Sequence, residues 1–231
     1  MSKTLLIVGY GPGVSTAMAE KFGGEGFGIA LVARSEGKLA AGVEALKAKG
    51  ISAAAFVADA ADPASIRGAV AKARDTLGPI GAIHWNAYGG QGLGDLTTID
   101  PASLSGLADV ALVGLLSTVQ AALPDLKAAG DGAVLVTNGA FGESNPVIDQ
   151  LALALGATGV AIANAAKAKL VGLLSARLKS EGVYVGEVTI AGLVKGTGPD
   201  SPGVPVLEPS TIADAFWRLY KGREETRARV G

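Results

Sequence analysis

The 231-residue sequence contains no cysteine and a single histidine, His84. Without cysteine the chain has no disulfide and no thiolate metal site, and one histidine is too few for a zinc site built from imidazoles. A Ser/His hydrolase triad would depend on His84, which falls within a predicted strand and is more typical there of a packed core residue than of an acid. The absence of cysteine agrees best with a cytoplasmic protein.

Charge of one sign is also lacking. Twenty Lys and Arg residues face twenty-one Asp and Glu residues, which gives a formal net charge of -1 at pH 7. Because no block rich in Lys or Arg is present to neutralise a run of phosphates, we expect no nucleic-acid partner.

Long apolar runs are scarce as well. Residues 1–4 lead directly into a short apolar run, without the apolar stretch and cleavage site of a signal peptide. The most membrane-like stretch, residues 150–166, has no formal charge but is short and contains Gly156 and Asn164. We interpret it as a buried helix and expect no membrane association.

Short apolar runs alternate with longer segments of helical periodicity, which is typical of parallel strands joined by crossover helices. The predicted strands are 5–8, 28–33, 53–57, 82–85, 133–136 and 183–190, and the predicted helices are 14–22, 36–49, 63–77, 101–129, 148–179 and one that begins near 209. Pro124 is expected to bend or end the helix 101–129. The pattern predicts one α/β domain over 1–231, a Rossmann-type doubly wound parallel sheet with helices on both faces.

A glycine-rich turn joins the first predicted strand to the first helix. Glycine tolerates positive φ and allows close approach of a ligand, while a helix N-terminus offers free N–H groups to a phosphate. The Gly-x-Gly-x-x-Gly spacing fails at Val14, whereas Gly-x-x-x-Gly-x-Gly is matched with Ser15 in place of the last glycine. A tight turn without a ligand is the alternative. The residues expected to receive the phosphates of a dinucleotide are Gly9, Tyr10, Gly11, Gly13, Val14 and Ser15.

Residues after the next strands bear on the choice of dinucleotide. An NAD site would place a carboxylate at the end of the second strand, but Arg34 stands there and can pair with a 2′-phosphate, which favours NADP(H) over NAD(H). A solvated arginine is the alternative. Asp59-Ala60 follows the third strand and either accepts from the adenine amino group or leads into a helix cap. Asn86-Ala87 follows the fourth strand, where the cofactor ribose would pass.

Two later segments complete an ordered set: Lys167-Ala168-Lys169-Leu170 and Ala191-Gly192-Leu193-Val194. With the glycine turn, Arg34, Asp59 and Asn86-Ala87, they resemble the short-chain dehydrogenase/reductase family over almost the whole chain. The resemblance implies that Lys167 holds the nicotinamide ribose hydroxyls and that Gly192 contacts the cofactor. A lysine on a solvated helix face is the alternative for Lys167.

The family's other catalytic residues do not match this sequence. The resemblance implies a tyrosine four residues before the lysine, a serine after the fifth strand and a relay asparagine, but these positions hold Ala163, Gly139 and Ala111. The conceivable substitute donors are Asn138, Thr137, Tyr88 and Asn164. The candidate catalytic set is therefore Lys167, Tyr88 and Asn138, with a core or lid role as the alternative for Tyr88.

These observations predict an NADP(H)-binding oxidoreductase with an atypical active site and a small apolar carbonyl or alcohol as substrate. The alternative is a catalytically inactive NADP(H)-binding sensor or scaffold. Helices 101–129 and 148–179 carry more apolar surface than one sheet face needs, and small residues such as Ala152 and Gly156 permit close packing. We therefore expect a homodimer or homotetramer. The loop 192–209, rich in glycine and proline, would cover the substrate.

Overall fold

A seven-stranded sheet forms the centre of the computed structural model, which describes residues 3–89, 93–198 and 203–231. The strand order is β3-β2-β1-β4-β5-β6-β9, and every pair in it is parallel. The strands are β1 Thr4–Val8, β2 Gly28–Ala33, β3 Ala53–Val57, β4 Ile80–Trp85, β5 Ala133–Gly139, β6 Tyr184–Ile190, β7 Leu193–Val194, β8 Val206–Leu207 and β9 Arg227–Val230. The predicted Rossmann-type doubly wound sheet is confirmed.

Helices cover both faces of this sheet. They are α1 Val14–Gly24, α2 Glu36–Ala48, α3 Pro63–Leu77, α4 Gly106–Ala108, α5 Leu115–Ala128, α6 Pro146–Ala154, α7 Thr158–Leu178 and α8 Pro209–Gly222. Alternate residues of a strand point to opposite faces, so Leu5 and Ile7 enter the core under α1, α2 and α8. Leu6 and Val8 enter the second core, under α3, α5 and α7. Burial on both faces explains why β1 is apolar without alternation.

The crevice for a ligand follows from the strand order. Strand β1 pairs with β2 on one side and with β4 on the other, so the chain winds in opposite directions from this point. In open parallel sheets such a switch point places a crevice at the carboxyl ends of the strands. The segments that begin at Gly9 after β1 and at Asn86 after β4 meet there.

The predicted helix 101–129 is interrupted, but at a different residue from the one expected. Pro124 lies within α5, which continues to Ala128, whereas a π-helical turn occupies Asp109–Gly114. A Cβ at Gly114 would lie 2.0 Å from the carbonyl oxygen of Ala60 and 2.9 Å from the Trp85 ring. This close approach of the helix to β3 and β4 is a tertiary effect, which the proline rule does not include.

The predicted helix 148–179 is two helices. Gly156, with φ +62°, separates α6 from α7, because a left-handed glycine ends the first helix. The interpretation of residues 150–166 as a buried helix is also wrong, since Leu151, Leu153 and Leu155 are 44%, 51% and 64% exposed. No element of the described chain covers this face.

Two helical segments, Pro101–Ala128 and Thr158–Glu181, are long and apolar enough to span a membrane by length and composition alone. Both pack on the sheet through one face, with Leu115, Val119 and Val171 in the second core. Only 33% and 22% of their most apolar windows are buried, so much of their apolar surface remains exposed. The absence of membrane association stays a prediction.

Three short strands were not predicted from the sequence. Strand β9 extends the sheet beside β6, and β7 pairs in parallel with β8 inside the predicted loop 192–209. Pro199 and Pro202 of that loop lie outside the described residues.

Candidate active site

The glycine turn is held in a shape that only glycine fits. Gly9 and Gly13 have φ values of +87° and +84°. A Cβ at Gly9 would lie 2.4 Å from the backbone nitrogen of Ala87, so the turn touches the segment after β4 directly. The Gly9 and Tyr10 N–H groups both donate to the Val32 carbonyl, at 2.9 and 3.0 Å.

Two predicted cofactor residues brace this turn from inside. The Ser15 hydroxyl donates to the Gly9 carbonyl at 2.9 Å and accepts from the Asn86 amide at 2.7 Å. Ser15 is fully buried, so its side chain serves the turn, and what it can offer a phosphate is its backbone N–H. The N–H groups of the first turn of a helix have no intrahelical acceptor, which leaves those of Val14 and Ser15 suited to an anion.

Thr16 and Thr197 belong to this region and were missed. The Thr16 hydroxyl donates to the Gly11 carbonyl at 3.0 Å, and a hydroxyl in the first helical turn after a glycine turn is the signal that was overlooked. A Cβ at Gly13 would lie 2.6 Å from the Thr197 methyl group, so the segment after β7 packs over the turn. No sequence signal reveals that contact.

Gly192 packs against the segment 205–207, which leaves no room for a Cβ. A Cβ there would lie 2.6 Å from the Pro205 carbonyl oxygen and 3.1 Å from the Leu207 side chain. Its neighbour Leu193 donates its N–H to the same carbonyl at 2.8 Å. The observed reason for a glycine here is thus the pairing of β7 with β8, while its predicted contact with a cofactor stays a prediction.

The crevice is open to solvent beside the ends of β1 and β2. Arg34 is exposed directly after β2, and no hydrogen bond or ion pair involves its guanidinium among residues 3–89, 93–198 and 203–231. The Tyr10 ring packs across α2, where a Cβ at Gly42 would lie 2.4 Å from it. Tyr10 and Arg34 therefore leave a solvent-facing site beside the ends of β1 and β2.

The sequence left open whether Asp59-Ala60 contacts the adenine amino group or leads into a helix cap. The Asp62 carboxylate caps α3 by accepting from the Ala64 N–H at 2.8 Å. Asp59 is exposed, and one of its oxygens accepts from the Ala61 N–H at 3.0 Å. Ala60 lies between them and contacts Gly114 through its carbonyl. The helix cap therefore belongs to Asp62, which leaves the second Asp59 oxygen available to a ligand.

A cavity of about 30 Å³ lies between the end of β4, the π-helical turn and α7. Its polar side chains are Tyr88, Asn164 and Lys167, and its other walls include Ala111 and Ala163. The side chain of Lys167 is only 6% exposed, which rules out a lysine on a solvated helix face. Burial lowers the pKa of Lys167 to about 8, against an opposing effect of the Glu187 carboxylate.

Asn164 fills the space that a side chain at Gly139 would need. A Cβ at Gly139 would lie 2.7 Å from the Asn164 Nδ2 atom. That amide donates only a long hydrogen bond, 3.4 Å, to the Gly139 carbonyl. Since Asn164 and Lys167 stand three residues apart on α7, both side chains face the same cavity.

Asn138 lies apart from this cavity. Its Nδ2 donates to the Asn164 carbonyl at 3.0 Å, and its Oδ1 accepts from the Gly139 N–H at 3.1 Å. It is 4% exposed and lines a different cavity, on the other side of α7. This placement favours a structural role for Asn138 over the predicted catalytic one.

Tyr88 lies at the mouth of the small cavity, 64% exposed, and burial of part of its ring raises its pKa. His84 is fully buried, as predicted for a core residue, and its Nε2 lies 2.9 Å from the Thr137 hydroxyl. Burial lowers the pKa of His84 to about 3, so the ring is neutral. Thr137 therefore bonds to His84 and does not line the small cavity, while the buried His84 Nδ1 has no hydrogen-bond partner among the described residues.

Comparison with known proteins identifies the family. A family model described as short chain dehydrogenase matches residues 3–188. The 3-dehydrosphinganine reductase TSC10A of Arabidopsis thaliana is 34% identical over 134 residues, which are 56% of this chain and 39% of that protein. TSC10B of the same plant is 34% identical over 126 residues, or 54% of this chain and 36% of that protein. The chain thus spans well under half the length of these curated relatives.

Solved structures agree over the whole chain. A metagenomic short-chain oxidoreductase in complex with NADP is 25% identical, with a TM-score of 0.77 and coverage of 100% of this chain and 97% of that one. The NADPH-bound short chain oxidoreductase of Pseudomonas aeruginosa PAO1 with an atypical catalytic center is 20% identical, with a TM-score of 0.80 and coverage of 100% and 97%, and supports the fold alone. The chain belongs to the short-chain dehydrogenase/reductase family of oxidoreductases.

Proposed function

We propose that the protein binds NADP(H) and transfers hydride to or from a small apolar carbonyl or alcohol, in an active site that lacks the family's tyrosine, serine and relay asparagine. The observation that carries this proposal is the buried ammonium of Lys167 at a cavity on the crevice of the sheet. A buried cation is costly, so a lysine held there has a use beyond packing. The NADP complex of the metagenomic relative supports the choice of cofactor class.

The residues fit a dinucleotide at both of its ends. Gly9 and Gly13 supply the positive φ values of the turn, Gly11 has open space beside it, and the first-turn N–H groups of α1 suit an anion. Lys167 would donate to the hydroxyls of the nicotinamide ribose. When bound, the cofactor supplies or accepts the hydride. The chain's own residues bind and orient the cofactor and exclude water from the site.

The exposed guanidinium of Arg34 supports NADP(H) over NAD(H), because its charge is free to pair with a 2′-phosphate. We expect Arg34→Ala to weaken NADPH binding by about 10-fold to 100-fold, since hydrogen bonds to charged groups contribute about 1.5–3 kcal/mol. NADH binding should change little. Isothermal titration of both cofactors tests this, with Lys38→Ala as a control that removes a neighbouring exposed cation. Equal losses for both cofactors would contradict the assignment.

Asn164 is the group best suited to replace the missing serine. Its buried Nδ2 occupies the space beside Gly139 and keeps one N–H beyond its long hydrogen bond. A fixed amide N–H stabilises a developing oxyanion, as in oxyanion holes. Tyr88 or a water would then exchange the proton. Because general acid help is worth about 10² to 10⁴ in rate, turnover without the family's tyrosine should be slow.

The assay is NADPH oxidation with a panel of carbonyls that includes 3-dehydrosphinganine, the compound named for the two plant relatives. Asn164→Leu should abolish turnover while NADPH affinity stays within about twofold of wild type. A loss of both would indicate a structural role for Asn164. NADPH that does not bind at all would refute the proposed function.

The second candidate is an inactive NADP(H)-binding sensor or scaffold. It is favoured by the apolar side chains at Ala111 and Ala163 and by the small size of the cavity, about 30 Å³. Tight NADPH binding without turnover on the whole panel would support it. The two candidates differ only in chemistry, so binding and turnover are measured on the same preparation.

We also propose a homodimer or homotetramer formed through α5, α6 and α7. The support is a set of exposed apolar side chains on the last two, among them Leu151, Leu153, Ile162 and Leu173, at 44%, 51%, 42% and 57% exposure. Light scattering should give a multiple of 22.9 kDa, and Leu173→Glu should lower it. We also propose a cytoplasmic location. A monomer that floats with liposomes would instead indicate that these apolar side chains bind a membrane surface, and it would contradict that location.

A further inference from the structure

Two formally charged side chains are buried in the described part of the chain, and they have opposite signs. Lys167 on α7 is 6% exposed and Glu187 on β6 is 2% exposed. Helix α7 packs on β6, and Glu187 follows Val185 on the strand face that forms the second core, under α7. Nothing in the sequence pattern marked Glu187, because it stands alone in an apolar strand.

The Glu187 carboxylate is only partly satisfied by its surroundings. Its Oε1 accepts from the Thr189 hydroxyl at 3.2 Å and lies 4.0 Å from the Arg227 Nε. Its Oε2 is buried and has no hydrogen-bond partner within residues 3–89, 93–198 and 203–231. The carboxylate lines a cavity of about 640 Å³, behind α7 as viewed from the small cavity that Lys167 faces.

Burial of a carboxylate with an orphan oxygen costs free energy, and a leucine or valine would pack there without that cost. Such a carboxylate acts on its neighbours through its electrostatic field. In the low dielectric of the interior, a negative charge stabilises an ammonium nearby and opposes the desolvation that favours the neutral amine. For Lys167 both effects are present, with burial the larger.

We infer that Glu187 is a positioning residue for the cofactor: its buried carboxylate is the counter-charge that keeps Lys167 an ammonium, the form that binds the nicotinamide ribose hydroxyls. This inference rests on the proposed NADP(H) site. No sequence pattern assigns a function to any residue of β6. Glu187 itself touches neither substrate nor cofactor and acts through Lys167.

Other charged and titratable groups near the pair have different roles. Tyr88 faces the Lys167 cavity as a neutral phenol. On the far side of α7, Lys169 is exposed, and Glu143 is already paired with Arg229 at 3.0 Å. Arg227 sits 4.0 Å from Glu187 and partly offsets its charge, while its guanidinium also donates to the Ala168 carbonyl at 2.8 Å.

The direct test is an NMR titration of the Lys167 side chain in the cofactor-free protein, with ¹³C-labelled lysine and Lys167→Gln to assign the signal. Wild type should titrate near pH 8. Glu187→Gln should lower that midpoint by about one pH unit or more, because an opposite charge has been removed. Glu143→Gln, a carboxylate on the same cavity wall with its own partner, should leave it unchanged.

The functional readout is NADPH affinity against pH. Wild-type affinity should fall above about pH 8, the Glu187→Gln curve should fall about one pH unit earlier, and Lys167→Gln should show no such limb. Coincident wild-type and Glu187→Gln midpoints would overturn the inference. A wild type that does not bind NADPH would refute the proposed function instead, while the NMR titration still tests the charge pair.

If Glu187→Gln does not fold, two other variants replace it. Arg227→Gln removes the cation beside Glu187 and should raise the Lys167 midpoint, which is the opposite direction. Glu187→Asp keeps the charge and should restore most of the wild-type midpoint. An Arg227→Gln midpoint equal to wild type, or a Glu187→Asp midpoint about one pH unit or more below wild type, would overturn the inference.

Discussion

The family's missing serine cannot simply be put back, because Asn164 occupies its place. In Gly139→Ser the new Cβ would lie 2.7 Å from the Asn164 Nδ2, closer than side-chain carbons approach other atoms in folded proteins. Overpacking of this kind costs about 1–3 kcal/mol. We therefore expect Gly139→Ser to lower the free energy of unfolding by that amount, and Asn164→Ala to relieve most of the loss.

The same contact governs any rebuilt activity. Ala163 lines the cavity beside Lys167, so Ala163→Tyr returns a phenol to the position four residues before the lysine. With the serine also accommodated, we expect the triple variant Ala163→Tyr, Gly139→Ser, Asn164→Ala to gain about 10² to 10⁴ in turnover over wild type, the usual worth of a general acid. The double variant that keeps Asn164 should gain much less.

Urea unfolding and NADPH oxidation are measured on the same variants. Gly68→Ser controls for the substitution itself, because a Cβ at Gly68 meets nothing within 4 Å. A double variant as stable and as active as the triple one would refute the blocked-serine interpretation. In that case Asn164 is free to move, and the serine site was not blocked.

Three further predictions follow from other sites. Gly9→Ala should lower the free energy of unfolding, measured by urea unfolding, by at least about 2 kcal/mol, because Gly9 has a positive φ and a Cβ there would lie 2.4 Å from Ala87. Gly11→Ala is the control and should be tolerated, because a Cβ at Gly11 meets no atom within 4 Å. Since the folded pKa of His84 is about 3 against 6.5 unfolded, stability should fall as pH drops below 6.5, by about 2 kcal/mol at pH 5, and His84→Leu should lack this slope. Since the folded pKa of Lys167 is lowered to about 8 from 10.5, the unfolded chain binds more protons between these values, and stability of the cofactor-free protein should rise across that range in wild type but not in Lys167→Gln.

Much of the fold was predictable because local signals and burial agree. Strands such as β2 and β3, and helix α3 with its cap at Asp62, have the bounds that their apolar runs and cap residues predict. The ends of helices predicted as long were not predictable. Gly156 breaks an apolar run that reads as continuous, and the π-helical turn at Asp109–Gly114 depends on how closely Gly114 approaches Ala60.

The candidate site divides in the same way. Gly9, Gly13 and Lys167 were predicted from the sequence because a glycine turn and a family segment mark them. Asn164 was named only as one of several donors, since its position beside Gly139 depends on the packing of α7 over the end of β5. Glu187 was missed entirely. A single glutamate in an apolar strand does not reveal that a buried lysine lies on the helix packed over that strand.

The two halves of the site differ in what they need from the sequence. A phosphate site uses backbone N–H groups and the space that glycine leaves, so it persists wherever the turn folds. Proton transfer needs particular side chains from β5 and α7, so one substitution removes it without harm to the fold. Lys167 acts through its side chain, like the residues that transfer protons. By position it belongs with the residues proposed to hold the cofactor. If the charge of Lys167 had no ligand to hold, its burial would cost free energy without a return, which favours cofactor binding over turnover as the use of this residue.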